Sequence, residues 1–287
     1  MNHIIADNAV RSLKNYLTEK LSSLYDEREA GNIVTSLFQE YLGWSKADII
    51  LNQDKRVSES ELLKFHFALK RLVAGEPLQY ITGHQMFCGN DFLVDPAVLI
   101  PRPETEELVM KICEVEKRTA PAVLDIGTGS GCIAISLKLK KTIWRVTGVD
   151  ISEDALSVAK KNATRLQADV VFHPLNILVE EPEGQFDLIV SNPPYIPEKE
   201  KGEMSVQVTA HEPATALFTP DDDELLFYRR IIELANKKLT PGGSLWFEIH
   251  EGKKADLTQL LESTVRANYH FYTDLQGKDR ILHVRFI

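Results

Sequence analysis

The first 80 residues carry apolar side chains at the spacing of amphipathic helices. These positions recur every three or four residues, which places them on one face of each helix: Val10, Leu13, Leu17, Leu21 and Leu24; Ile33, Leu37, Phe38, Tyr41 and Leu42; Leu62, Phe65, Leu69 and Leu72. The region lacks the alternation of apolar and polar residues that is typical of strands. We therefore predict a small helical bundle domain over residues 1–82.

Two helix starts in this region carry the spacing of a capping box. Ser45 is followed three positions later by Asp48, and Ser58 by Glu61. In such a pair each side chain accepts a hydrogen bond from the other residue's backbone N–H, which stabilises the first helical turn. Helices are therefore predicted to begin just after Ser45 and Ser58.

The pattern changes near residue 84. Apolar residues at 86–87 and 92–94 flank a turn-forming segment at 88–91, which predicts a β-hairpin. We assign residues 83–100 to a β-hairpin linker and residues 101–287 to a second domain.

Strands and helices alternate in this second domain. Short apolar stretches predict successive strands at residues 122–125, 144–150, 170–173, 186–191 and 244–250. The alternation with helices is typical of an α/β domain with a mostly parallel sheet. Two further strands follow one another directly near the C-terminus and predict an antiparallel edge, at residues 271–275 and 281–286. A long loop is predicted over residues 192–222, before a helix that begins at Asp223.

Composition and charge narrow the possible functions. The 287 residues carry a net charge of −9, from 33 basic and 42 acidic side chains, and the helical region is not basic. Nucleic acid as the main partner is therefore disfavoured. No apolar stretch reaches the length of a membrane span, and the N-terminus lacks a signal-peptide pattern. The three cysteines show no metal-ligand spacing, so we expect a reduced, cytoplasmic protein without a metal site.

A glycine-rich segment follows the first strand of the predicted sheet and opens a helix. Its residues are Asp125, Gly127, Thr128, Gly129, Ser130 and Gly131. Such glycines let backbone N–H groups approach a ligand closely. Asp150 ends the next strand, where a carboxylate can accept hydrogen bonds from both hydroxyls of a ribose. The plainer interpretations are a tight turn for the glycines and a helix cap for Asp150.

One position at which the sequence differs from the dinucleotide-binding motif indicates the type of ligand. Cys132 stands where a dinucleotide-binding motif has its third glycine. With an acidic residue in front, the segment instead resembles motif I of S-adenosylmethionine-dependent methyltransferases.

The predicted strand at 186–191 ends in Asn192, Pro193, Pro194 and Tyr195. The prolines remove two backbone donors, so the Asn192 side-chain oxygen and the Pro193 carbonyl are left as acceptors. A planar NH₂ group can donate one hydrogen to each, with Tyr195 against its face. Because the lone pair of such a nitrogen is delocalised, the reaction depends on holding it in line with a methyl donor. We predict Asn192, Pro193 and Tyr195 as catalytic residues, with Pro194 also binding substrate; taken alone, the two prolines equally suit a structural turn.

This four-residue motif is shared by methyltransferases that act on adenine N6, cytosine N4 and glutamine N5. It therefore indicates the type of acceptor atom and leaves the substrate open.

Five segments occur in an order that is similar to one family. They are PLQYITG at 77–83, LIPRPETE at 99–106, DIGTGSG at 125–131, NPPY at 192–195 and EPATAL at 212–217. The chain resembles the HemK/PrmC family, the release factor glutamine methyltransferases, over essentially its whole length. The resemblance implies a Rossmann-like class I S-adenosylmethionine-dependent methyltransferase domain with a seven-stranded sheet, preceded by the helical domain.

The resemblance also implies a reaction. The methyl group of S-adenosylmethionine is transferred to the side-chain N5 of the glutamine in the Gly-Gly-Gln motif of class-1 peptide chain release factors, which leaves S-adenosylhomocysteine. The helical domain then helps to hold the release factor. No direct nucleic-acid or membrane partner is expected, and a monomer is sufficient.

Cofactor contacts carried over from the family fall on residues 127–131, on Asp150 and on Asn192. Asn176 and Ile177 fall where the family contacts adenine, although an aspartate and an aromatic residue are usual at these two positions.

Two alternatives remain at this point. An adenine-N6 DNA or RNA methyltransferase would flip a base against the same acceptors, but it should carry a basic recognition domain. A non-catalytic adapter would keep the cofactor fold without turnover, but it has no need of the motif at 192–195.

Four further residues and one segment attract attention. Arg102 is predicted either to position cofactor or peptide or to form an inter-domain salt bridge. His211 and Glu212 lie in the predicted long loop, as part of a lid or of a solvated surface. The acidic residues at 221–224 are predicted to open a helix, where negative charge suits the helix dipole. Glu248 is assigned no role.

Overall fold

A computed structural model describes residues 7–287 of the chain. The chain divides into two compact units, with the boundary between Gly83 and His84. This boundary coincides with the change of sequence pattern near residue 84, and the β-hairpin belongs to the second unit.

The first unit is helical. Its helices are α1 (Val10–Leu21), α2 (Glu27–Leu42), α3 (Lys46–Leu51), α4 (Glu59–Val73) and α5 (Leu78–Thr82). The apolar stripes of the sequence form its core, with Leu13, Leu37 and Phe65 fully buried. Leu24 is an exception, because α1 ends at Leu21 and leaves the Leu24 side chain 52% exposed.

Both predicted capping boxes are confirmed. The Ser45 hydroxyl accepts a hydrogen bond from the backbone N–H of Asp48, and the Asp48 carboxylate accepts one from the backbone N–H of Ser45. Ser58 and Glu61 make the same reciprocal pair at the start of α4. Each pair satisfies two backbone donors that a helix start otherwise leaves free.

The second unit contains the remaining elements. Its strands are β1 (His84–Phe87), β2 (Asn90–Leu93), β3 (Ala122–Ile126), β4 (Arg145–Asp150), β5 (Val170–Pro174), β6 (Phe186–Ser191), β7 (Ile196–Pro197), β8 (Phe218–Thr219), β9 (Leu239–Glu248), β10 (Ala267–Thr273) and β11 (Asp279–Phe286). Its helices are α6 (Pro103–Val115), α7 (Cys132–Lys140), α8 (Glu153–Arg165), α9 (Val206–His211), α10 (Ala214–Leu217), α11 (Leu226–Lys238) and α12 (Lys254–Thr264), with a 3-10 helix at Glu198–Glu203.

Seven of these strands form one sheet, in the order β10-β11-β9-β6-β3-β4-β5. Strands β9, β6, β3, β4 and β5 run parallel to one another, whereas β11 runs antiparallel to both β9 and β10. Helices α6, α7 and α8 contribute to the apolar core on one face, and α11 and α12 to the core on the other. The predicted fold class is confirmed: a mostly parallel seven-stranded sheet with an antiparallel C-terminal edge.

The hairpin β1–β2 is also found as predicted. Its turn consists of Cys88 and Gly89, with φ of 50° and 79°. Positive φ at both central residues matches the right-handed twist of the two strands, which is why such turns favour glycine.

The segment between β6 and α11 differs from the predicted loop. It contains β7, the 3-10 helix, α9, α10 and β8, and β7 pairs in parallel with β8. Each of these elements is six residues or shorter. Their apolar periodicity is therefore too brief to be recognised in the sequence.

The prediction that residues 221–224 open a helix is wrong. Helix α11 begins at Leu226 and has no acidic residue in its first turn. Ion pairs hold the acidic side chains instead: Asp223 pairs with Arg229, and Glu224 with Lys199 and Lys253. The local pair of Asp223 and the two pairs of Glu224, with partners 25 and 29 positions away, outweigh the weak preference of acidic residues for a helix start.

Among residues 7–287, no helix combines the length and the apolar character needed to cross a lipid bilayer. In the same part of the chain, no group of three or more His, Cys, Asp and Glu side chains is arranged to hold a metal ion.

Candidate active site

A cavity of about 490 Å³ lies in the second unit, at the carboxyl ends of β3, β4, β5 and β6. In an open α/β sheet this edge is where ligands bind. The cavity brings together all but two of the sequence-predicted site residues: Gly127, Thr128, Gly129, Ser130, Asp150, Asn176, Ile177, Asn192, Pro193 and Pro194 line it. Gly131 ends the same glycine turn but does not line the cavity. Tyr195 does not line the cavity.

The glycine turn after β3 uses the conformational freedom of glycine at three positions. Gly127, Gly129 and Gly131 have φ of 71°, 53° and 79°. A Cβ on Gly131 would lie 2.9 Å from Ile135 Cδ1, so this glycine also leaves room for the Ile135 side chain of α7. A Cβ on Gly127 or Gly129 would meet no atom within 4 Å, since both face open space. The turn thus leaves an open cradle beside the backbone.

Asp125 stabilises this turn from inside the protein. Its Oδ2 accepts hydrogen bonds from the Thr128 hydroxyl, at 2.6 Å, and from the backbone N–H of Ala134, at 3.2 Å. Its Oδ1 is buried and has no hydrogen-bond partner among the described residues. Burial raises the pKa of Asp125 to about 7, and the nearby charge of Asp150 adds to the rise.

This raised pKa gives a prediction for stability. Between the ordinary pKa of an aspartate and about 7, the unfolded chain ionises at this position while the folded chain stays protonated. The Asp125 contribution to the free energy of unfolding therefore falls as pH rises. We expect Asp125→Asn to gain stability relative to the wild type as pH increases from about 5 to 8, as measured by urea unfolding. A constant difference across that range would contradict the expectation.

Asp150 is held rigidly at the cavity wall. Its Oδ2 accepts the backbone N–H of Gly129, and its Oδ1 accepts that of Ser152, both at 2.9 Å. Each carboxylate oxygen keeps a further lone pair for a ligand. Capping of α8 is carried out by Ser152, whose side chain accepts from the backbone N–H of Ala155. The capping interpretation of Asp150 is therefore not what the structure shows.

The cavity wall at the end of β5, next to Asp150, contains Asn176 and Ile177, which the resemblance implies as adenine contacts. Asn176 accepts the backbone N–H of Leu178 at 3.1 Å, which closes a turn after β5. Ile177 is 9% exposed and packs into the core while its edge lines the cavity. This wall is apolar apart from the Asn176 amide, as suits the face of a planar ring.

The first three residues of the segment after β6 line the cavity, and the fourth, Tyr195, does not. The Asn192 amide donates to the Thr105 hydroxyl at 3.3 Å, and Pro193 is buried. The Tyr195 ring packs against the core beside α11, with its centre 6.0 Å from that of the His250 ring. Burial and the neighbouring Glu248 carboxylate raise the pKa of Tyr195, so its hydroxyl stays protonated.

Arg102 and Glu212 form an ion pair beside the cavity. Arg102 Nη2 lies 2.5 Å from Glu212 Oε1, and Glu212 Oε2 accepts the backbone N–H of Ile100. The Glu212 side chain is 1% exposed. Both residues belong to the second unit, so the predicted inter-domain salt bridge is wrong, and so is the predicted solvated surface at Glu212. The pair holds residues 213–220, which line the cavity, against the segment before α6.

Glu248, to which the sequence assigned no role, ends β9 next to the site. It is 3% exposed and accepts the Thr105 hydroxyl at 2.6 Å. Its position at a strand end of the ligand-binding edge was the available signal, but Thr105 lies 143 positions away in the chain.

Comparison with known proteins identifies the family. The model of the PrmC N-terminal domain matches residues 12–83, and that of the methyltransferase small domain matches residues 105–221. A release factor glutamine methyltransferase of Bacteroides thetaiotaomicron is 42% identical over 269 residues, which cover 93% of this chain and 96% of that protein. This chain belongs to the release factor glutamine methyltransferase family.

Other relatives agree with this assignment. A release factor glutamine methyltransferase of Flavobacterium psychrophilum is 39% identical over 282 residues, covering 96% of this chain and 99% of that protein. Among solved structures, a methyltransferase of Pyrococcus furiosus superposes with a TM-score of 0.51 at 18% identity, covering 80% of this chain and 100% of that one. The latter similarity supports the methyltransferase fold of this family member.

Proposed function

We propose that this protein transfers a methyl group from S-adenosylmethionine to the side-chain N5 of the glutamine in the Gly-Gly-Gln motif of a class-1 peptide chain release factor. The observation that carries the proposal is the juxtaposition, in one cavity, of the glycine turn with Asp150 and the paired acceptors Asn192 and Pro193. The first group suits an adenosine-containing methyl donor, and the second suits a planar NH₂ group.

The residues present fit the proposed cofactor. Gly127 and Gly129 leave open space beside the backbone, and the Asp150 carboxylate is fixed at the cavity wall with lone pairs for two ribose hydroxyls. Thr128, Ser130 and Gly131 complete the turn, and Asn176 and Ile177 hold the adenine. When bound, the cofactor supplies an electrophilic methyl group on a positively charged sulfur, and S-adenosylhomocysteine is the product.

The acceptor side of the site holds the substrate amide. Its two N–H groups donate to the Asn192 side-chain oxygen and the Pro193 carbonyl, which directs the nitrogen lone pair toward the methyl group. As the new N–C bond forms, positive charge develops on nitrogen, and both acceptors stabilise it. The extra proton leaves after methyl transfer, so no base is needed beforehand. Pro194 and Tyr195 support this wall, and Asn192 also borders the methyl donor.

The helical domain over residues 1–82 holds the release factor, and the domain over residues 101–287 carries out the reaction. The match of residues 12–83 to the PrmC N-terminal domain supports this division of labour. The protein acts in the cytoplasm, as a monomer and without direct contact to nucleic acid.

The two alternatives receive less support. A base methyltransferase should carry a basic surface for phosphates, whereas this chain has a net charge of −9 and its curated relatives are named for glutamine methylation. A non-catalytic adapter has no use for the acceptor pair at the cavity.

Mass spectrometry of a purified release factor incubated with this protein and labelled S-adenosylmethionine tests the proposal. We expect a single added methyl group on the glutamine of the Gly-Gly-Gln motif. Duplex DNA and RNA in parallel reactions provide the comparison. Label in nucleic acid alone would support the base methyltransferase, and cofactor binding without label in any substrate would support the adapter.

A further inference from the structure

Three side chains from three elements form a hydrogen-bonded chain at the edge of the cavity, in which Thr105 and Glu248 are buried and Asn192 is half-buried. Thr105 lies in the first turn of α6, Asn192 follows β6, and Glu248 ends β9. Strands β6 and β9 are parallel neighbours, with Ser191 opposite Phe247, so the residues that follow these two positions lie side by side. Thr105 and Asn192 line the cavity, whereas Glu248 lies behind them.

The chemistry of these groups fixes the direction of each hydrogen bond. An ionised carboxylate only accepts, so the single hydrogen of the Thr105 hydroxyl is donated to Glu248 Oε2, at 2.6 Å. The Thr105 oxygen can then only accept a hydrogen bond from Asn192. The Asn192 atom that lies 3.3 Å from the Thr105 oxygen must therefore be the NH₂ nitrogen. A flipped amide would place the Asn192 oxygen against the lone pairs of the Thr105 oxygen. The ionised state of Glu248 therefore selects one orientation of the Asn192 amide.

We infer that Glu248 and Thr105 are positioning residues that turn the Asn192 side-chain oxygen toward the substrate and its NH₂ group away from it. This inference rests on the proposed function, in which that oxygen accepts a hydrogen from the substrate amide. Both residues act on the substrate through Asn192.

The surroundings of Glu248 make this arrangement depend on pH. Burial raises the pKa of Glu248 to about 7, and the charge of Glu104 on α6 adds to the rise. The hydrogen bond from Thr105, the nearby Asn192 amide and the charge of Arg280 on β11 oppose this rise of the pKa. The hydroxyls of Tyr195 and Tyr228 also lie near, and both have raised pKa values, so they stay neutral.

Protonation of Glu248 removes the constraint that sets the direction of each hydrogen bond in this chain. A protonated carboxyl donates, so the Thr105 hydroxyl can turn its hydrogen toward Asn192 and accept from Glu248 instead. The Asn192 oxygen is then free to face Thr105, and its NH₂ group faces the substrate. The oriented state is present above pH 7 and is lost as pH falls through the pKa of Glu248.

Nuclear magnetic resonance of the side-chain amide tests the orientation without cofactor or release factor. In protein labelled with ¹⁵N-asparagine, the Asn192 NH₂ signals are identified by their loss in Asn192→Ala. We expect them to shift between about pH 5.5 and 8.5 with a midpoint near 7, and to stay constant in Glu248→Gln. The Asp125→Asn variant should keep the midpoint, which separates Glu248 from Asp125, a second buried carboxyl whose pKa is raised to about 7. Signals that do not shift in the wild type, or that still shift in Glu248→Gln, would overturn the inference.

Kinetics provide the second test. We expect Thr105→Val to lower kcat about 10- to 100-fold, with cofactor affinity little changed, and Thr105→Ser to restore it because the hydroxyl returns. Thr240→Val is the matched control, since the Thr240 hydroxyl donates to Asp187 at 2.7 Å outside the cavity. Equal losses in Thr105→Val and Thr105→Ser would contradict the positioning role. A titrating Asn192 amide in a wild type that methylates no release factor would instead leave the orientation standing and refute the proposed function.

Discussion

Asn192→Ala is expected to lower kcat about 100- to 1,000-fold, because it removes one of the two acceptors that align the substrate nitrogen and stabilise its developing charge. Cofactor affinity should change by no more than a few-fold, since the variant leaves intact the glycine turn and Asp150, which are proposed to hold most of the cofactor. Single-turnover methylation of a release factor, measured beside equilibrium binding of S-adenosylmethionine, separates the two effects.

Asn268→Ala is a suitable control for this variant. Asn268 is exposed on β10, at the edge of the sheet and away from the cavity. Its loss should leave both kcat and cofactor affinity at wild-type values. Near-normal turnover in Asn192→Ala would remove the paired-acceptor mechanism.

Asp150→Ala should act mainly on the cofactor. The variant removes a carboxylate that is proposed to accept hydrogen bonds from two ribose hydroxyls. Because hydrogen bonds to charged groups contribute strongly to the free energy of binding, the affinity for the cofactor should fall by about 100-fold. It also frees the backbone N–H groups of Gly129 and Ser152, which loosens the turn. Isothermal titration with S-adenosylmethionine measures the loss, and kcat at saturating cofactor should fall much less.

Asp169→Ala gives the comparison for this second variant. The Asp169 side chain is 94% exposed and lies just before β5, so its removal also deletes one negative charge while leaving the cavity intact. Unchanged cofactor affinity in Asp150→Ala would place the ribose contact on another residue.

The elements that sequence analysis predicted well are those whose signals are local. The capping pairs at Ser45 and Ser58 span three residues, and the strand at Phe186–Ser191 is a continuous apolar run. The short elements between β6 and α11 were missed because their form depends on contacts with distant segments. The ion pair from Lys199 to Glu224 is one of these contacts.

The same distinction applies to the candidate site. Asp150 and Asn192 stand at strand ends next to recognisable motifs, so their convergence followed from the topology of a parallel sheet. Glu212 lies within the predicted loop, at no strand end, and Glu248 offered only its position at a strand end, while a single glutamate is usually solvated. Their burial depends on partners more than 100 positions away, Arg102 and Thr105. Such pairings become visible only in three dimensions.

The place of β11 in the sheet has a consequence for synthesis of the chain. This strand, the last in the sequence, lies between β9 and β10 and hydrogen-bonds to both. The sheet therefore stays incomplete until residues 279–286 have left the ribosome, and β9 meanwhile presents an open edge. The helical unit has its whole core within the first 83 residues and can fold much earlier. During translation the helical unit can therefore fold first, and the sheet of the second unit is completed only when β11 joins it.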